Sequence, residues 1–199
     1  MMYKPLKVFM SAAVVLAAWL FIATQASAVA ILCSSDTTKN HMSIDDSQVS
    51  ACLDSGTGNL TGNPANDLFL NGVGSGYEYA GKQEPGTTFN PFNILYTQNG
   101  DMGTWSFDAS FWSMYSDGAI AFKFGTGNKP DEWFVYKLNA GISSGDWEFI
   151  NVFNRGGGLS HVNLYGMKGE VAEPATVTLL ALGLLLLGAT RRRKALAPA

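Results

Sequence analysis

The sequence predicts an all-β chain, an antiparallel β-sandwich of about 100–140 residues between an N-terminal signal peptide and a hydrophobic C-terminal helix. Three observations predict it. From Trp105 onward, large apolar side chains alternate with small or polar ones, the period-two signature of half-buried strands. The runs are short and are separated by turns rich in Gly, Asn and Ser, among 22 glycines in 199 residues. Aromatic residues make up 12% of the chain, which supplies the bulk that a two-layer core requires.

Taken in order, the first element is an export signal. Lys4 and Lys7 form a basic region, residues 8–23 an apolar one, and Ala26-Ser27-Ala28 a small-residue cleavage site. Residues 1–28 are therefore expected to be removed, leaving Val29 first in a domain spanning residues 29–171. Cys33 and Cys52 follow. In an oxidising compartment they are expected to pair and close a loop of about 20 residues, worth ~3 kcal/mol by loop entropy; two unpaired thiols are the alternative. Residues 43–53 space Ile44, Val49 and Leu53 loosely behind Ser43 or Asp45 and read as one or two helical turns.

Residues 55–76 are crowded with Asn, Gly, Ser and Thr and read as loop, with a short strand at Leu68-Phe69-Leu70. The sandwich itself is expected between about residues 67 and 167. Its strands run through Trp105, Phe107, Ala109 and Phe111; through Ile120, Phe122 and Phe124; through Phe134, Tyr136 and Leu138; over residues 147–153; and over residues 161–165. The Gly- and Asn-containing segments 125–130, 139–141, 143–146 and 155–158 are the turns between them.

The tail is legible on physical grounds. Residues 177–189 carry no charge and seven leucines, apolar on every side as suits lipid. A helix over residues 177–190 reaches about 21 Å, short of the ~30 Å hydrocarbon core. Arg191, Arg192, Arg193 and Lys194 follow at once and are expected to hold the C-terminus on the cytoplasmic side, with residues 29–171 beyond the membrane. Glu173, Pro174, Ala175 and Thr176 precede the apolar run. In that order, the polar Pro-containing element, the short apolar segment and the basic cluster of residues 172–199 resemble the PEP-CTERM sorting signal. Ala172 stands where that family has its first proline. The resemblance implies that an exosortase-type membrane protease acts on the tail. Residues 119–166, including Trp133-Phe134-Val135-Tyr136 and Ser144-Gly145-Asp146-Trp147, also resemble the globular part of many PEP-CTERM proteins. That likeness implies a surface or matrix β-domain of Gram-negative bacteria without assigned biochemistry.

Charge narrows the partners. Of thirteen Lys and Arg, six lie in the two terminal segments, and of sixteen acids one, Glu173, does, which leaves seven against fifteen and a net charge near −8 over residues 29–171. An excess of that sign excludes nucleic acid, whose binding rests on neutralising phosphates. Catalytic and metal patterns are weak. His41 and His161 are the two histidines; Ser160 and His161 are neighbours on a strand and face opposite ways, so they form no dyad. His161 is expected to bond a strand end or a loop. Asp131-Glu132 reads as a solvated turn rather than an acid and base pair. Asn99, Asp101, Asn128 and Asp131 lie in loops and suit calcium chemically, but not at EF-hand spacing. Gly72-Val73-Gly74-Ser75-Gly76 opens no helix and so makes no phosphate cradle. No cofactor is expected.

Two function classes follow. The first is an exported, non-enzymatic protein, transiently anchored in the inner membrane through residues 177–190 and then placed in the envelope, at the outer surface or in the extracellular matrix. There it would be structural or adhesive in an exopolysaccharide or biofilm setting. The second is a lectin-like module in which Trp105, Trp112, Trp133, Tyr136 and Trp147 stack on an extracellular polysaccharide. Burial discriminates the two: a row of exposed rings favours the lectin, and packed rings remove it.

Overall fold

Alternation along the aromatic runs becomes two antiparallel sheets with the large side chains between them. The computed structural model describes residues 29–86 and 89–169. Ten strands and one short helix follow in chain order: β1 Ala30–Cys33, β2 His41–Asp45, β3 Val49–Gly56, β4 Glu78–Gln83, β5 Leu95–Tyr96, β6 Met102–Ser106, α1 Phe111–Met114, β7 Asp117–Gly125, β8 Trp133–Leu138, β9 Ser144–Ile150 and β10 Gly158–Met167. Sheet A has the order β1-β2-β9-β6-β5 and sheet B the order β3-β8-β7-β10-β4. All strand pairs are antiparallel.

The core lies between the sheets. Met42, Ile44, Trp105, Trp147 and Phe149 from sheet A meet Ile120, Phe122, Phe124, Phe134 and Tyr136 from sheet B, all buried. Phe149 stacks on Phe124 with ring centroids 4.0 Å apart, and the Tyr136 hydroxyl crosses the layer to donate to the Met42 carbonyl. Burial pushes the Tyr136 hydroxyl well above its ordinary pKa, so it stays a donor. Cys33 and Cys52 are disulfide-bonded, with Cα atoms 5.3 Å apart. The bond ties β1, an edge of sheet A, to β3, an edge of sheet B, so it closes one side of the sandwich.

Sheet B is buried on both faces. Its outer face carries Ala119, Ala121, Trp133, Val135 and Tyr165, and the irregular segment 57–77 lays Leu60 and Phe69 across them. That cover explains why Ala119 and Ala121 of β7 and Val135 of β8, which alternate with inward-facing Ile120, Phe122, Phe134 and Tyr136, are apolar rather than polar.

Four expectations are corrected. Residues 43–53 form no helix: they are the end of β2, a turn and the start of β3. The Asp45 carboxylate accepts the Ser47 N–H at 2.7 Å, so the residue that reads as a helix cap closes a turn instead. Ile44 and Val49 then enter one core from two different sheets. Leu68-Phe69-Leu70 is a turn, because the Asp67 carboxylate takes the Phe69 and Leu70 N–H groups that a ladder would need. The run through Phe111 stops at Ser106; the Asp108 side chain accepts the Ser110 N–H and the chain turns into α1, whose Phe111 still packs in the core. Finally, the sandwich begins at Ala30 and not near residue 67, since β1, β2 and β3 supply two of its edges and Met42, Ile44 and Val49 of its core.

Candidate functional site

The candidate sugar-stacking rings are packed: Trp105, Tyr136 and Trp147 lie between the sheets and Trp133 under the 57–77 cover. Trp105, Trp133, Tyr136 and Trp147 are at most 4% exposed, and Trp112 is half-buried with its indole N–H donated to the Ile142 carbonyl. Glycines make room for two of them. In the β6–β9 register Gly103 faces Trp147 and Trp105 faces Gly145. A Cβ at Gly103 would sit 2.5 Å from Trp147 Cζ2, and one at Gly145 3.0 Å from Trp105 Cε2. Each ring therefore lies over the glycine of the opposite strand. These five residues make no exposed row, and the stacking reading is withdrawn for them.

The sorting motif Glu173, Pro174, Ala175 and Thr176, the basic cluster Arg191, Arg192, Arg193 and Lys194, the membrane segment 177–190 and the signal peptide 1–28 all lie outside the described residues. Among the described residues no helix is long and apolar enough to cross a membrane.

His41 and Ser43 are buried in β2 of sheet A, and most of the other buried polar groups form two clusters on sheet B and its cover. In the first, Asp67 is fully buried, and its carboxylate accepts the Gly62, Phe69 and Leu70 N–H groups and the Tyr165 hydroxyl at 2.7–3.1 Å. Gly62 holds a left-handed backbone at φ +76°, with the Tyr79 ring where a side chain would be. The Asn163 amide donates to the Leu60 carbonyl and to Tyr165 Oη. His161 Nε2 lies 3.1 Å from the same Leu60 carbonyl, which can only accept, so Nε2 carries the proton. Burial, reinforced by the Lys82 ammonium, lowers the His161 pKa to about 4, and the ring is neutral near pH 7. Ser160 is exposed while His161 is buried, in keeping with their opposite faces. The cluster fastens the 57–77 segment to β10.

The second cluster corrects the reading of Asp131-Glu132 as a solvated turn. Both are buried. Glu132 accepts from the Gly58 N–H at 2.8 Å, the Thr126 hydroxyl at 3.0 Å and the Lys123 ammonium at 3.1 Å. Burial alone would raise this carboxyl, but those three donors outweigh it and hold the pKa below the ordinary value. Asp131 accepts the Ser55 hydroxyl at 2.9 Å, and its backbone carbonyl takes the Asn40 amide. Every donor here serves to pin the β3 end and the β7–β8 turn. Asn128 sits in that turn at φ +62° and Asn99 in the β5–β6 turn. Among the described residues no three His, Cys, Asp or Glu side chains are grouped as metal ligands.

The accessible concavity lies elsewhere, on the outer face of sheet A. It measures about 520 Å³ and opens between β1, β2, β9 and β6. Register places Leu32, Ser43, Glu148 and Met102 in one row across four strands. Thr104 and Asp146 lie opposite one another in the next row, with Thr97 bonded to Thr104 at 2.8 Å. Asp45 and Gln48 complete the wall, and Gln48 Oε1 accepts the Asp146 N–H at 3.0 Å. Ser47 holds the Asp45 carboxyl below its usual range. The aromatic positions drew attention from these residues, yet the signal was present: if Trp147 and Phe149 point inward, Asp146 and Glu148 must point out.

No known protein family, curated protein or solved structure matches this chain.

Proposed function

We propose that this chain is an exported, non-enzymatic protein whose C-terminal tail is a sorting signal for an exosortase-type membrane protease. The observation that carries the proposal is the order of parts at the tail: Glu173-Pro174-Ala175-Thr176, an uncharged run over residues 177–189, then Arg191, Arg192, Arg193 and Lys194. The basic cluster arrests the chain with its C-terminus inside, and the short apolar run serves as a temporary anchor, for which mismatch with the bilayer has only a modest cost. Pro174 stops a helix from extending upstream and presents the motif in extended form. The freed domain has a structural or adhesive role at the envelope, the outer surface or in the extracellular matrix.

Three properties of the domain support a life outside the cytoplasm. The single pair of cysteines is oxidised, as suits an oxidising compartment. The net charge near −8 favours solubility. The buried acids and His161 are bonded to backbone and cover segments, where they hold the fold together rather than face a cleft. Catalysis is accordingly left out of the proposal. Replacing Glu173 and Pro174 by alanine tests it: full-length protein should accumulate in the membrane fraction. Unchanged release of the domain would sink the proposal.

A further inference from the structure

The sequence contains two Asn-Gly pairs, Asn71-Gly72 and Asn99-Gly100, and all four residues are exposed. An Asn followed by Gly can lose its side-chain amide without an enzyme, because glycine has no side chain to keep the next backbone nitrogen away from the Asn Cγ. The two pairs are therefore equal in sequence and alike in exposure. They differ in how the fold holds the groups that must react, the attacking glycine N–H and the departing asparagine Nδ2.

At Asn71-Gly72 both groups are engaged. The Gly72 N–H donates to the Phe69 carbonyl at 3.0 Å, and Asn71 Nδ2 donates to the Asp67 carbonyl at 3.1 Å, which also accepts the Asn71 N–H. The fully buried Asp67 ties this turn to the cover of sheet B. Asn99-Gly100 opens the turn between β5 and β6. Among the described residues, neither the Gly100 N–H nor the Asn99 side chain makes a hydrogen bond; Gln98 Nε2 holds only the Gly100 carbonyl, at 2.8 Å. Two bonds between Asn99 and Met102, of 2.7 and 3.3 Å, close the turn. Rotating the Asn99 carbonyl, which brings the Gly100 nitrogen onto Cγ, directly breaks only the longer one.

We propose that Asn99 is a site of spontaneous deamidation in the folded protein, and that its turn protects Asn71 from the same reaction. The Gly100 nitrogen gives its proton to solvent and attacks Asn99 Cγ. The new N–Cγ bond closes a succinimide ring, the Cγ–Nδ2 bond breaks, and Nδ2 leaves as ammonia with a proton taken from solvent. Water then opens the ring. Attack at Cγ gives aspartate, and attack at the backbone carbonyl gives isoaspartate, in which the chain runs through Cβ and Cγ. Water is the one co-reactant, and no electrons are exchanged. Either product adds a carboxylate next to Asp101 at the end of sheet A. Isoaspartate also lengthens the backbone just before the Gly100 carbonyl that Gln98 holds. Gln98 bonds the Gly157 carbonyl and the Leu159 N–H as well, so the altered turn bears on the contact between the β5–β6 hairpin and the start of β10. Freeing the two engaged groups at Asn71-Gly72 makes that site slower by about tenfold or more.

Peptide mapping by mass spectrometry tests this on the full chain in zwitterionic detergent, aged at neutral and at mildly alkaline pH. The Asn99 peptide should convert from amide to acid, faster at the higher pH, as a mixture of aspartate and isoaspartate, and in ¹⁸O-labelled water the product should carry the label. Asn71 should convert at least about tenfold more slowly. In guanidinium the bonds that protect Asn71 are lost, and the two pairs should convert at similar rates. Conversion of Asn71 as fast as Asn99 in the folded chain overturns the proposal, as does an Asn99 that stays intact while the unfolded chain converts. A gap that persists in guanidinium also overturns it, since sequence rather than fold would then set the difference, and aspartate without isoaspartate excludes the ring. Both pairs lie within residues 29–171, so retention or loss of the tail leaves these results untouched.

Discussion

Asp67→Ala should be the most damaging single change on the cover of sheet B. The parent carboxylate is fully buried and accepts three N–H bonds and one O–H bond, from Gly62 at 2.7 Å, Phe69 at 3.1 Å, Leu70 at 3.0 Å and Tyr165 at 3.0 Å. Alanine leaves those donors without an acceptor. A buried unsatisfied donor costs about 1–3 kcal/mol, and the four cannot add fully because the 57–77 segment can loosen and admit water. A loss of about 4 kcal/mol is expected, which for a domain of this size lowers the melting temperature by roughly 12–16 °C. Asp67→Asn should cost about half as much, since the amide oxygen still accepts from Phe69 and Leu70 while its NH2 confronts the Gly62 N–H. Urea unfolding followed by tryptophan fluorescence measures the loss. Hydrogen exchange should show faster opening of residues 57–77 before the sheets open. A loss below about 1 kcal/mol, or uniform acceleration of exchange over both sheets, would refute the argument that Asp67 fastens this segment.

Three further outcomes follow from other contacts. His161 has a folded pKa of about 4 against an ordinary 6.5, so the unfolded chain binds the proton first: stability present above pH 6.5 is lost as pH falls towards 4, by about 3 kcal/mol at most. His161→Asn should flatten that part of the urea-midpoint profile between pH 7.5 and 4.5. Gly103→Ala forces a methyl against the Thr97 carbonyl oxygen and the Trp147 ring and should cost about 1–3 kcal/mol or more, with an altered near-ultraviolet tryptophan signal. Reducing the Cys33–Cys52 bond, or Cys33→Ala with Cys52→Ala, should lower stability by ~3 kcal/mol, and alkylation of the exported protein before reduction should label neither cysteine.

Much of the fold was legible because strand alternation is a local property. Ile120, Phe122, Phe124, Trp147 and Phe149 declare their faces within a few residues, and the structure places all of them in the core. Turn chemistry was harder to read. Asp45, Asp67 and Asp108 each redirect the backbone by accepting N–H groups two or three residues on, and a helix cap and a turn use the same residue type for the same bond. Burial of acids was not legible at all. Asp131 and Glu132 look like a solvated pair until Ser55 and Gly58, more than 70 positions away, are brought beside them. The groove on sheet A has a similar cause: its four strands come from residues 30 to 150, and only their register puts Ser43, Glu148 and Met102 in one row.

The sorting proposal is tested most directly by the intact mass of the mature protein from its native host, compared with a strain lacking the membrane protease. The mature chain should begin near Val29 and end near Glu173-Pro174-Ala175-Thr176, without residues 177–199, with a longer membrane-bound form when the protease is absent. A mature protein that keeps residues 177–199 in both strains would contradict it and make the tail a permanent anchor.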